Sequence, residues 1–233
     1  MTDLVISSNS VISDQNITRE ILQRLCENAK KPLHFSKCNF ERIDLSRLDL
    51  RHMIFTGCNF VEASLSRTQL AETQWRSCRA GLADFELADL TDAQFVSCDL
   101  NNTVWKRATL ASVLFEGVKL TGAHFEEVNA LGLHFEDTLL VGASLRGMSF
   151  RKQVLKELNF SDADIAGCDF RDSVFDGGSL RDAIVKQAKF DGADLRSVDI
   201  GGLRIVNANQ FKGAIISYQQ AAVLIQELGL HVA

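Results

Sequence analysis

Proline is nearly missing from this 233-residue chain: Pro32 is the only one. Proline removes a backbone donor, so its absence after residue 32 leaves the rest of the chain free to form an uninterrupted hydrogen-bonded ladder. No apolar run approaches the ~18 residues that a membrane span needs, and no membrane partner is expected. The first residues, Met1-Thr2-Asp3-Leu4-Val5-Ile6, lack a basic segment and a long apolar stretch, which excludes a standard secretory signal. The five His (His34, His52, His124, His134 and His231) are scattered, and none falls in register with a nucleophile pair. A Gly-rich phosphate loop, a zinc-ligand spacing and a serine elbow are all lacking. The chain therefore reads as a non-enzyme, with no catalytic, cofactor-binding or metal residues and no cofactor. Its six Cys have no paired spacing, which points to a reducing cytoplasm.

What the chain does have is a period of five. From Phe35, steps of five residues reach Phe40, Leu45, Leu50, Phe55 and onward without a break to Ile205, and all 35 positions are apolar. Of the 15 Phe, 14 lie in this phase, as do both Trp, where chance would place one in five. Two residues before each of these centres runs a second column of small or apolar residues, with a few Thr, one Ser, one Gly and Gln153, and never a charge. The other three phases carry almost all the charge. Ten of the 15 Gly lie two after a centre.

A period of five matches neither a helix at 3.6 nor a strand at 2. It matches a chain that turns a corner every five residues, with Gly supplying the backbone freedom a tight corner needs. Two inward columns and three outward ones make a thin, filled coil, and a short fixed period signals a solenoid. Four corners close a coil, so residues 20 apart stack: Phe35, Phe55, Trp75, Phe95 and Phe115 form one column, and Cys38, Cys58, Cys78 and Cys98 another. Stacked thiols make a line rather than a tetrahedron, so they read as small buried hydrophobes and not as a zinc site.

The recurring pattern small–Asp/Asn–Leu/Phe, as in Cys38-Asn39-Phe40, Ala83-Asp84-Phe85, Cys98-Asp99-Leu100 and Ala193-Asp194-Leu195, resembles the pentapeptide-repeat proteins. The resemblance implies an all-β solenoid, a right-handed quadrilateral β-helix, with a rod near the width of a DNA duplex. The domains expected are an N-terminal segment and capping helix (1–32), the repeat β-helix (33–208) and a C-terminal dimerisation or capping helix (209–233). The N-terminal helix is expected from about Asp14 to Ala29, with Asp14, Asn16 or Thr18 as cap, an apolar stripe of Ile17, Ile21, Leu25 and Cys26, and Pro32 as stop. Val206 to Ile216 leaves the five-residue phase. Ser217-Tyr218-Gln219-Gln220 then reads as a capping box that starts a helix to Leu228, with Gly229 to end it.

The run Gln220-Ala221-Ala222-Val223-Leu224-Ile225-Gln226-Glu227-Leu228-Gly229-Leu230 is similar to the end of the Qnr and MfpA-type topoisomerase-protection (quinolone-resistance) proteins, in which a terminal helix pairs two rods. That resemblance implies a homodimer through Tyr218, Ala221, Ala222, Leu224, Ile225, Leu228 and Leu230. It also implies a DNA mimic that binds DNA gyrase or topoisomerase IV and protects it from quinolones or a gyrase-targeting toxin, with no direct nucleic-acid contact. The chain has no loop inserted between repeats, which is nearer to MfpA than to Qnr. By the 20-residue stacking, Glu116, Glu136, Asp137, Glu157 and Asp176 lie on or beside one face, an acidic partner-binding surface resembling phosphates to a protein that grips DNA. Lys152, Lys156 and Arg196 interrupt it. Leu114, Val154 and Val174 share one outward phase and suggest a contact patch. The second function class is a scaffold or secreted effector that uses the coil as a rigid interaction rod.

Overall fold

The computed structural model describes residues 11–29, 32–203 and 208–227. They fall into two compact units, one of residues up to 119 with 127–134, the other of 120–126 with 135 onward. Both are built from the same right-handed, four-sided β-helical coil, stacked in parallel at a spacing of 20 residues.

In the first unit, β1 (Ile12–Ser13) is followed by α1 (Arg19–Asn28), then β2 (His34–Ser36), β3 (Ile54–Thr56), β4 (Gln74–Arg76), β5 (Gln94–Val96) and β6 (Leu114–Glu116). The strands pair in parallel and in register, with Phe35 on Phe55, Phe55 on Trp75, Trp75 on Phe95 and Phe95 on Phe115. Only one side of each coil carries a three-residue strand. In the second coil of this unit the other corners are closed by turns, Ala63 N to Phe60 O, Thr68 N to Leu65 O and Thr73 N to Leu70 O, at 3.0–3.2 Å. In each of these turns the third residue has positive φ, the signature of a type II turn. Gly takes many of these corners, as its phase implies, but Arg42, Glu62, Arg67, Leu82 and Asp92 hold the same left-handed conformation. Among the described residues no Val, Ile, Thr, Phe, Tyr or Trp does so, because the second substituent on Cβ or a bulky ring makes that conformation costlier still.

Among the described residues every centre but Ala130 is buried, and Phe35, Phe40, Phe55, Phe60, Trp75, Phe85 and Trp105 are fully so. Ring stacks run side by side and meet edge to face: Phe40 on Phe60 at 4.4 Å and Phe85 on Trp105 at 4.2 Å each stand against the column that holds Phe55, Trp75 and Phe95, Phe40 at 90° to Phe55 and Phe85 at 88° to Phe95. The few Thr of the inward column have a task. Thr73 Oγ1 accepts the Trp75 indole N–H at 3.0 Å and donates to Leu70 O, and Thr103 does the same for Trp105 and Leu100. The Cys column is explained likewise. On the strand side the centre carbonyl is not taken up by a turn, and the thiol of Cys58, Cys78 or Cys98 donates to the carbonyl of Phe35, Phe55 or Trp75 one coil back. Among the described residues no buried side-chain N or O lacks a partner.

The Asp or Asn before each centre is equally structural. Its side-chain oxygen accepts the backbone N–H two residues on, as in Asp44 to Ser46 (2.8 Å), Asp84 to Glu86 (2.8 Å) and Asp164 to Ala166 (3.1 Å). This Asx bond folds the corner locally.

Helix α1 begins at Arg19, later than the sequence reading placed it. Residues 12–17 instead pair with the first coil: Ile12 lies over Phe35, Asn16 bridges Asn39, and Ile17 N donates to Asn39 O at 3.0 Å. Backbone bonds to an open sheet edge outweigh one more helical turn. Thr18 is the cap, accepting Ile21 N at 3.3 Å. The helix buries Leu22 and Leu25 and is fastened by Arg19, whose guanidinium donates to the Asp44 and Ser46 carbonyls at 2.6 and 2.9 Å.

The second unit contains β7 (His134–Glu136) from its second residue on, β8 (Val154–Lys156), β9 (Val174–Asp176), a 3-10 turn (Ala208–Phe211) and α2 (Tyr218–Glu227). Phe150, Phe170 and Phe190 stack at 4.9–5.0 Å within 7° of parallel. Phe211, the one Phe outside the five-residue phase, continues this column on Phe190 at 4.8 Å and 3°. The spacing there is 21 rather than 20, and Asp194 pairs with Ile215 by the same slip. The repeat thus resumes one residue out of phase past residue 205, where the sequence shows it only as lost. Among the described residues no helix is long and apolar enough to cross a membrane.

Candidate partner-binding surface

Many of the described carboxylates are committed to the fold itself. Those just before a centre hold corners, and three are also clamped by the Arg two residues on: Asp49 by Arg51, Asp169 by Arg171 and Asp194 by Arg196, each at 2.6 Å. Hydrogen bonding to the Arg171 guanidinium, and then its charge, pulls the Asp169 carboxyl down to about 2. In the first unit other outward acids are paired across coils, Glu62 with Arg42 at 2.9 Å and Glu127 with Arg107 at 2.6 Å.

The five acids singled out from the sequence occupy different phases, one or two after a centre, where no Asx bond is made. Glu116 ends β6 in the first unit and is exposed. In the second unit Glu136, Lys156 and Asp176 stand in one line on the strand side, in parallel register. Lys156 donates to the Glu136 carboxylate. That hydrogen bond first, then the charges of Glu136, Asp137 and Asp176, raise the Lys156 ammonium above the ordinary lysine value. The line is therefore alternating rather than purely acidic, and Glu136 is half-buried.

Asp137 and Glu157 turn the adjoining corner with φ of 47° and 49°, and both are exposed. Their amides are anchored to the next coil, Asp137 N to Lys156 O at 3.0 Å and Glu157 N to Asp176 O at 2.9 Å, and the Glu157 carboxylate lies over Gly177, where a Cβ would meet it. Beyond them the corner narrows. Gly177 and Gly178 both have positive φ, and a Cβ on Gly178 would stand 2.0 Å from Leu158 O. Beside the acids, Val154 and Val174 are paired in register with 55% and 41% of their surface exposed. On their other flank lie exposed Lys152 and the pair Arg151 and Asp172 at 3.7 Å. Leu114, the third residue of that phase, belongs to β6 and is only partly exposed.

The C-terminal residues form a second surface. The capping box is made as read: Gln220 N donates to Ser217 Oγ at 3.2 Å and Ser217 N to Gln220 Oε1 at 2.7 Å. Among the described side chains of α2, residues 218–226, none is fully buried. Tyr218 is 98% exposed and Ile225 39%, while Ala221, Ala222 and Leu224 are partly covered. Leu228 and Leu230 lie outside the described residues.

Two anchors carry no local signal in the sequence. The amide of Gln210 donates to the Val185 and Ala188 carbonyls at 3.1 Å, and that of Gln220, ten residues on, donates to those of Leu195 and Val198 at 2.7 Å. Both spacings, 25 and 22, are the same, so Gln220 still keeps the phase of the repeat.

Comparison with known proteins adds the following. A model of the pentapeptide repeat region matches residues 31–105, and one of pentapeptide repeats in eight copies matches 88–126 and 134–172. No curated protein sequence gives a significant match. Among solved structures the chain is similar to QnrB1, a plasmid-mediated fluoroquinolone resistance protein. With one trypsin-treated form it shares 22% identity, 96% of this chain and 97% of that one are covered, and the TM-score is 0.60. For the full-length form the values are 19% identity, coverage of 94% and 97%, and a TM-score of 0.58.

Proposed function

Starting from the fact that this chain belongs to the pentapeptide-repeat family, we propose that it is an interaction protein of the cytoplasm whose partner is a type II topoisomerase, DNA gyrase and by extension topoisomerase IV. It binds as a homodimer that imitates a duplex and protects the enzyme from quinolones or from a gyrase-targeting toxin. No bond is made or broken in this mechanism. The protein competes for, or displaces DNA from, the surface with which the enzyme holds DNA.

The observation that carries this reading is the set of carboxylates without a corner bond, Asp137, Glu157 and Asp176, with Glu136 and Glu116 in the same phases. Asp137 and Glu157 are exposed at corners of the second unit. Such a set of negative groups suits the Lys and Arg that normally meet phosphates. The reading is supported by the fold shared with QnrB1 along nearly the whole of both chains. It is also supported by the apolar, incompletely covered α2, whose Tyr218, Ala221, Ala222, Leu224 and Ile225, with Leu228 and Leu230, would pair with a second copy.

The test is direct. Purified protein at micromolar concentration is added to gyrase supercoiling assays and to quinolone-stabilised cleavage assays. Inhibition of supercoiling or relief of cleavage is expected, and replacing Asp137, Glu157 and Asp176 together by Asn or Gln should weaken it. No effect on gyrase or topoisomerase IV in either assay removes the proposal and leaves an interaction rod for a different partner.

A further inference from the structure

We infer that Val154 and Val174 form an apolar anchor within the acidic surface, receiving an aliphatic side chain that the partner presents beside its Lys and Arg. The inference rests on the reading just given and adds to it the contact that a duplex cannot supply.

The two valines are neighbours in the β8–β9 ladder and stand on an open sheet side. They keep 55% and 41% of their surface in water. Their setting is asymmetric in charge. Along the chain one flank carries Lys156 and Asp176, then the corner of Asp137 and Glu157, while the other carries Arg151, Lys152 and Asp172. Counting Glu136, four acids face one Lys on the first flank, so a basic partner surface is drawn to that edge. A β-branched residue suits any strand, but strand preference alone does not account for an exposed stacked pair. At the same phase the first unit has His34, Gln74 and Gln94, and its apolar members Ile54 and Leu114 are partly covered. Covering the exposed valine surface with an aliphatic side chain favours binding in proportion to the apolar area removed from water.

The two components of binding differ in how they respond to salt. Attraction between exposed charges is screened, whereas burial of the valines is not. Charge mimicry alone therefore predicts that gyrase binding collapses with added salt. The anchor predicts a residue of binding that persists.

The experiment uses the full chain and purified DNA gyrase, with affinity measured at low and high salt. The double variant Val154→Thr/Val174→Thr keeps the branched strand-forming shape and removes apolar surface. It should bind about tenfold more weakly at both salts. Val154→Asp separates the two mechanisms: a surface that works by charge alone gains affinity from the added carboxylate, and an anchored one loses it. Ile184→Ser, at an exposed residue of another side (52%), should change nothing. Unaltered binding of the Thr double variant, or tighter binding of Val154→Asp, overturns the anchor while leaving topoisomerase binding intact. A wild-type chain that does not bind gyrase overturns the underlying reading and the anchor with it.

Discussion

An aspartate in this chain does one of two jobs according to its place in the five-residue cycle. Before a centre it folds a corner, and after a centre it faces solvent. Asp169 is the strongest case of the first kind, with Arg171 holding its carboxyl at about 2. An unfolded Asp titrates near ~3.9, so the folded value is depressed. Its contribution to stability is complete above pH ~4 and is lost as pH falls from there through about 2. Denaturant melts of wild type and Asp169→Asn should therefore differ at about pH 5 and converge at about pH 2; a gap that stays constant would contradict the linkage. The inside and the outside of the coil were legible because burial repeats every five residues. The Asx bond was not, since composition shows that Asp or Asn recurs at a phase without showing what it accepts. Nor was the tolerance of left-handed Arg, Glu and Leu at corners, where the interlocked ladder offsets local strain that Gly alone would avoid.

At the level of elements, the helices were readable and their attachments were not. The Ser217 capping box is a local signal four residues long, and the structure forms it as read. The same Gln220 also closes two carbonyls 22 and 25 residues earlier, a long-range bond with no local trace. Removing Ser217 by Ser217→Ala should cost about 1 kcal/mol, the usual value of a helix cap. Gln220→Ala also strips the Leu195 and Val198 carbonyls and should cost about 2–3 kcal/mol. Urea midpoints of the two variants decide it, and equal losses would mean that the carbonyls find water instead. The late start of α1 has a similar cause. Thr18 was among the caps considered, but nothing local in Asp14 to Ile17 tells that these residues serve the first coil as an added edge.

For the whole molecule, the acidic surface was visible from spacing, and its arithmetic was not. The 20-residue stacking brought Glu136, Lys156 and Asp176 together, but only the coordinates show Lys156 bound to Glu136, so that the outward negative charge falls to Asp137, Glu157 and Asp176. Association through α2 is expected to show in light scattering, with two copies for the full chain and one for a chain ending at Ile216. That endpoint keeps Phe211 on Phe190 and so removes the helix without opening the last ring stack. A full-length chain that scatters as a single copy would take α2 out of the proposed assembly.

Between coils most backbone partners within each unit sit 19 or 21 residues apart, such as Phe40 N with Asn59 O and Asn59 N with Cys38 O. A gene segment encoding one such block is therefore a modular cassette. Its duplication or excision would lengthen or shorten the protein by a whole layer, preserve both ends, and shift every outward charge by a fixed step. Evolution of such a chain toward a new target would proceed by measured edits of length as readily as by single substitutions.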